Sequence, residues 1–211
     1  MFTNLLLVLA LIVNPGPKAV LGTSDVTLSS RSFSMEDRYN VPSVNQVFKD
    51  NILLGLKYMD GEVKSKADVS WPEVEKPFEA SFTLNPGEEF AFTSHTLPDY
   101  SKNVVKTMNT DFMWNEGYKS DGFLVGDGVC HLASLVYWAA KDAGLTAYAP
   151  SNHNFAKIND VPREFGVAIM SPSPLGNLYI INNKEKPVTF EFNFDGTNLT
   201  IDVKMVSSQI T

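Results

Sequence analysis

One cysteine, Cys130, stands in 211 residues, so an intrachain disulfide and any multi-cysteine zinc site are excluded. Histidine is almost as scarce. His95, His131 and His153 lie far apart and show no ligand spacing, so no metal site is expected, and no cofactor motif appears. Nor is there a Lys/Arg block. With a net charge of −7, the chain lacks the electrostatic footprint of a nucleic-acid binder or of a protein held to an anionic membrane surface. Internal repeats and low-complexity tracts are missing as well. What remains is an ordinary globular composition, long enough to bury a core.

The only long apolar run is LLLVLALIV, residues 5–13. It is shorter than the roughly 20 residues that span a bilayer. Pro15-Gly16-Pro17 follows, and Val20 and Gly22 suit a cleavage site. Residues 1–22 are therefore expected to be an export signal or an N-terminal anchor, although no Lys or Arg precedes the run, and a buried strand or helix is the competing expectation. The expected location is extracellular or cell-envelope associated, with the membrane touched only through an uncleaved leader. A free thiol in an exported chain is unusual, which directs attention to Cys130.

Residues 23–79 read as an N-terminal arm with one helix. Residues 23–43 are polar, with few apolar residues in register, and resemble a linker. Val44, Val47, Phe48, Ile52 and Leu56 predict a helix over residues 44–58, stopped at Asp60-Gly61. From residue 80 to 211 strands dominate. Ala80, Phe82 and Leu84 alternate with polar residues, Asn85-Pro86-Gly87 is a turn, and Phe90 and Phe92 resume the alternation. Short strands are expected at residues 165–170 and 178–181. Phe190, Phe192 and Phe194, then Leu199, Ile201 and Val203, predict a hairpin with one apolar face, which the helix after Cys130 would cover. The expected class is α+β, with helices packed on a mainly antiparallel sheet.

That helix is predicted over residues 130–143, with Leu132, Leu135, Val136, Ala139 and Ala143 as its buried stripe and Gly144 as its stop. Cys130 falls off the stripe, in line with Ser134 and Tyr137. A thiolate in a first turn gains from unpaired backbone N–H groups and the helix dipole. Gly126 and Gly128 permit a close backbone approach and an oxyanion site after the turn. A cysteine nucleophile needs a base. His131 points about 100° away around the helix. His153 sits in a polar segment that can return to the first turn, though a plain surface-loop histidine is an equal reading. Glu164, Asn152 or Asn154 could orient it, and Arg163 could grip a substrate carboxylate or form a surface ion pair.

The stretch GDGVCHLASLVYWAAKDAGL, residues 126–145, resembles the VanW-domain signature G-G-G-V-C-Q-x-S-T-T-L-Y-N-A-A-x-x-A-G-L. LNPGEEF at residues 84–90, Glu116-Gly117-Tyr118-Lys119, Asn152-His153-Asn154 with Arg163-Glu164, and NLYIINN before Pro187 resemble further family segments in the same order. The resemblance implies an exported envelope protein performing cysteine-dependent acyl transfer on peptidoglycan stem peptides, in the manner of an L,D-transpeptidase. It makes Cys130 the nucleophile and His153 the base, with Glu164 in support. Gly126, Gly128, His131, Ser134, Tyr137 and Arg163 would contact substrate. A non-catalytic wall-binding module is the alternative. The family glutamine is His131 here, its middle glycine is Asp127, and its Arg-Asp pair is Arg163-Glu164. A carboxylate at Asp127, if turned inward, works against a thiolate.

Overall fold

The computed structural model describes residues 25–122 and 126–206; the expected leader at residues 1–22 lies outside them. The chain order is β1 (Val26–Ser34), α1 (Pro42–Asp60), α2 (Trp71–Val74), β2 (Phe78–Leu84), β3 (Glu89–Ala91), β4 (Val104–Lys106), α3 (Val129–Asp142), β5 (Thr146–Tyr148), β6 (Tyr179–Ile181), β7 (Val188–Phe194) and β8 (Asn198–Met205). One sheet has the order β1-β8-β7-β2 and is antiparallel throughout. The other has the order β4-β3-β6-β5, and only its β3–β4 pair is parallel. The fold is α+β.

The predicted hairpin is β7–β8. Phe190 pairs with Val203, Phe192 with Ile201 and Phe194 with Leu199, so one pleat face carries six buried apolar side chains. The Asp195 carboxylate closes the turn by accepting the N–H groups of Thr197 (2.8 Å) and Asn198 (2.7 Å). The ring of Phe82 on β2 stacks between Phe190 and Phe90, with centroids 4.8 Å away on each side, and joins the two sheets through one core. As expected, α3 lies over this hairpin, touching β8, and it also contacts β1 and β5.

Residues 26–34 form a nine-residue edge strand, not a linker. Its signal was hidden because Ser29 and Arg31 occupy positions where a buried strand would carry aliphatics, and an irregularity between Thr27 and Ser29 shifts the alternation. The Arg31 guanidinium lies 3.8 Å from the centre of the Trp138 ring on α3 and pairs with Asp142, while Phe33 packs on the same indole. The segment before residue 80 thus supplies an edge strand to the main sheet and a helix to its core.

Helix α1 starts with Pro42 in its first turn and ends on Gly61, whose φ of 83° lets its N–H reach back to the Tyr58 carbonyl. Every residue from Asn51 to Met59 is buried, so α1 is an interior helix in its second half and its sequence stripe understates its burial. Asn51 uses that position: its amide donates to the carbonyls of Lys119 (3.0 Å) and Asp127 (2.8 Å) and accepts the Lys119 N–H (2.9 Å). The loop leading into α3 is thereby pinned to α1.

Helix α1 packs tightly on Gly128, which caps α3 with φ 96°. A Cβ there would lie 2.6 Å from the Phe48 carbonyl oxygen and 2.8 Å from the Phe48 Cα. Both the backbone conformation and the contact demand glycine. Gly128→Ala is expected to lower stability by on the order of 2–3 kcal/mol, read as a reduced urea midpoint with unchanged slope. A midpoint equal to wild type would show that α1 and α3 are not locked together here.

Candidate functional site

Cys130, His131 and Ser134 lie on the first turns of α3, but burial reaches further round this helix than its stripe predicts. His131 and Ser134 are buried, and Cys130 is half-buried. The reason is the chain after the helix. Residues 151–153 and 166–168 run side by side, bridged at Asn152 and Val167, with the His153 N–H donating to the Gly166 carbonyl (3.1 Å) and the Ala168 N–H to the Ser151 carbonyl (3.0 Å). This ribbon lies against α3. Ser134 Oγ donates to the Cys130 carbonyl (2.7 Å) and accepts the Val167 N–H (2.8 Å). Ile169 N–H donates to Cys130 Sγ (3.3 Å), and the thiol faces the Ile169 carbonyl at 3.7 Å.

The strand expected over residues 165–170 is therefore not formed. A single 3-10 turn, Arg163–Phe165, precedes a segment whose Val167 and Ile169 N–H groups are taken by side chains of α3 rather than by a ladder. Ser134, expected to face substrate, is a clip between the helix and this segment. Tyr137 packs edge-on against Phe165, with centroids 6.1 Å apart. Gly126 and Gly128 do adopt positive φ, at 82° and 96°, as the turn before the helix requires.

The first-turn position does not activate the sulfur. Burial is the largest influence and pushes the Cys130 thiol up. The Ile169 N–H and the residue's own N–H act the other way, while the negative charge of Asp127 adds to the upward push. Asp127 accepts the Asp121 N–H (3.0 Å), and burial raises its own carboxyl. The expected depression by the helix dipole is thus overcome by desolvation.

His153 does return to the first turn of α3, where its ring meets His131 edge to face with centroids 6.2 Å apart. Its hydrogen bond, however, goes to the Ala156 carbonyl from Nδ1 (3.1 Å), and no hydrogen bond joins it to Cys130 among the described residues. Since a carbonyl can only accept, Nδ1 carries the proton and Nε2 is left as an acceptor. The group that orients the imidazole is this carbonyl, not Glu164, Asn152 or Asn154. Glu164 is exposed on the Arg163–Phe165 turn. Asn152 donates to the Arg163 carbonyl (3.3 Å), and exposed Arg163 makes one long contact with the Asn154 carbonyl (3.5 Å). Phe155, 75% exposed, covers His153 with a centroid separation of 4.0 Å.

Arg38 belongs to this site although its sequence context gave no sign of it. The side chain is fully buried. Its guanidinium donates to the carbonyls of Ser34 (2.7 Å) and Asn159 (3.1 Å) and to the Asp160 carboxylate (2.9 Å). Burial lowers the His131 imidazole to about 3, helped by the positive charge of Arg38 and by His153. His131 packs edge-on against Phe48, and its buried Nδ1 has no hydrogen-bond partner among the described residues. A signal for Arg38 could have come only from knowing that the loop at residues 155–161 folds back onto residues 34–38.

Compared with families of known proteins, residues 80–204 fit the family described as VanW like protein. The chain belongs to the VanW family. No curated protein and no solved structure matches it. The VanW segment begins in β2 and ends in β8, so it contains α3, the His153 ribbon and the hairpin. Strand β1, helix α1 and the buried Arg38 lie before it.

Two outcomes follow from this geometry. His131 stays neutral when folded down to about pH 3, whereas in the unfolded chain it takes up a proton near 6.5. The unfolded state thus binds more protons between these values, and His131 costs stability as pH falls from 6.5, by at most about 1.4 kcal/mol per unit. Urea unfolding between pH 7 and 4 should show a loss that His131→Phe reduces by on the order of 3 kcal/mol; equal slopes for both proteins would refute the assignment. Separately, iodoacetamide should alkylate Cys130 at pH 7 no faster than a free cysteine, with a rate midpoint above the ordinary thiol value. A faster reaction would mean that the thiolate is favoured after all.

Proposed function

We propose that this VanW protein is an exported, cell-envelope module that binds peptidoglycan stem peptides and does so with Cys130 as a structural thiol. The observation that carries this reading is the state of the sulfur. Its hydrogen bonds both run to Ile169, burial favours the neutral thiol, and His153 is engaged with Ala156. A nucleophile would need an ionised sulfur and a base on it. Family membership supports the wall as the place of action, and the apolar run at residues 5–13 supports export.

Acyl transfer is the second reading. It is favoured by the cysteine following two positive-φ glycines in a helix first turn, with His153 brought to that same turn. For it to operate, the Ile169 contacts must open and His153 must accept the thiol proton. The thiolate would then attack a stem-peptide carbonyl after an L-centre, expel a D-amino acid, and pass the acyl group to an amine or to water. Glu164, exposed and apart from the imidazole, has no evident part in that sequence.

Defined muropeptides incubated with wild type and with Cys130→Ala, followed by mass spectrometry and by a binding measurement, separate the readings. The expected outcome is equal binding by both proteins and unchanged muropeptides. Cross-linked or shortened products formed by wild type and lost in Cys130→Ala would replace the binding reading with acyl transfer.

A further inference from the structure

Beside His153 the chain folds into a cleft of about 300 Å³, lined on its apolar side by Ala156, Ile158 and Val161 and bordered by His153, Lys157 and Arg163. That is the small end of ligand sites, enough for the end of a peptide rather than for a long stretch of it. We propose that this cleft holds the C-terminal carboxylate of a peptide whose last residue has a small aliphatic side chain. The proposal rests on the binding reading above and names the part of the stem peptide that is gripped.

Three observations converge on this chemistry. The first is charge. Acidic residues outnumber basic ones, 24 to 17, yet the cleft is bordered by Lys157 and Arg163, and no Asp or Glu is among its lining residues. The neighbouring carboxylates are otherwise placed: Asp160 pairs with buried Arg38, and Glu164 lies outside the lining. The single 3.5 Å contact of Arg163 leaves most of its guanidinium fork free for a bidentate carboxylate.

The second is the wall opposite. Ile158 and Val161 are nearly fully buried and offer a short apolar surface, which suits a methyl side chain. Between them run Asn159 and Asp160, which the buried Arg38 guanidinium holds by two hydrogen bonds, so the wall is fixed before a ligand arrives. The third is His153. With Nδ1–H given to the Ala156 carbonyl, its Nε2 is an acceptor and matches the amide N–H of a peptide, while the cations match its terminal carboxylate.

The test is calorimetry on the full chain with N-acetyl-D-alanyl-D-alanine and with its C-terminal amide, using wild type, Arg163→Gln and Ala156→Trp. Residues 156 and 163 are both exposed, so neither change disturbs the core. The free acid should bind at least about tenfold more tightly than the amide. Arg163→Gln should lose about tenfold for the acid and nothing for the amide, and Ala156→Trp, which fills the cleft, should abolish binding of the acid. Equal affinity for acid and amide, or variants that bind as wild type does, would overturn the proposal. Muropeptides held normally by Ala156→Trp would remove the cleft from the reading and leave the binding module intact. A dipeptide acid bound in this variant-sensitive way, with muropeptides not bound at all, would keep the cleft and remove the wall-binding function. Failure of wild type to bind either the dipeptide acid or the muropeptides would overturn both.

Discussion

Two backbone N–H groups, those of Val167 and Ile169, are satisfied by side chains of α3, and the organisation of the site depends on that. In a strand they would have entered a ladder; here Ser134 Oγ and Cys130 Sγ accept them. Buried amides left without partners are costly, so the helix and the ribbon hold each other in register. The same contact encloses the sulfur and places His153 against His131, at the border of the cleft that Ala156, Ile158 and Val161 line. A cysteine at the start of a helix can be activated or occupied, and the neighbouring segment decides which.

The electrostatics around α3 show how burial overrides local charge. Isolated, the first turn would favour a thiolate. Enclosed by Ile169 and faced by Asp127, it favours the thiol. His131 lies in the same turn, its protonation opposed by burial and by buried Arg38. Arg38 connects the end of β1 to the loop at residues 155–161, so the segment before residue 80 is part of how the VanW segment is held. Gly128 and Asn51 provide the other tie, one by lacking a side chain and the other by filling three backbone hydrogen bonds.

Regular elements with strong periodicity were readable. The α1 and α3 helices, the β2 strand and the β7–β8 hairpin announced themselves because their buried faces are apolar at a fixed spacing. Strand β1 was not readable, because Arg31 reaches the helix by lying on Trp138 rather than by being apolar. Strands β4 and β5 carry no fully buried side chain, so they lack the apolar run that marked the equally short β6. The opposite error occurred at residues 165–170, where apolar residues suggested a strand but the backbone groups found other acceptors. Of the site, Cys130 and His153 were legible from residue type and position. Their partners were not, since Ala156 and Ile169 act through backbone atoms that every residue carries.

By itself, the sequence determined the α+β class, the apolar hairpin with its covering helix, the glycine turn before α3 and the membership signalled by residues 126–145. Those features are local, written in spacing and in residue types with few conformational options. Only the tertiary structure decided that the sulfur is a neutral, hydrogen-bonded thiol, that His153 answers to a carbonyl, and that Arg38 braces the cleft beside it. Protonation and hydrogen-bond partnership depend on what else is buried within a few ångströms, and distant segments of the chain supply it.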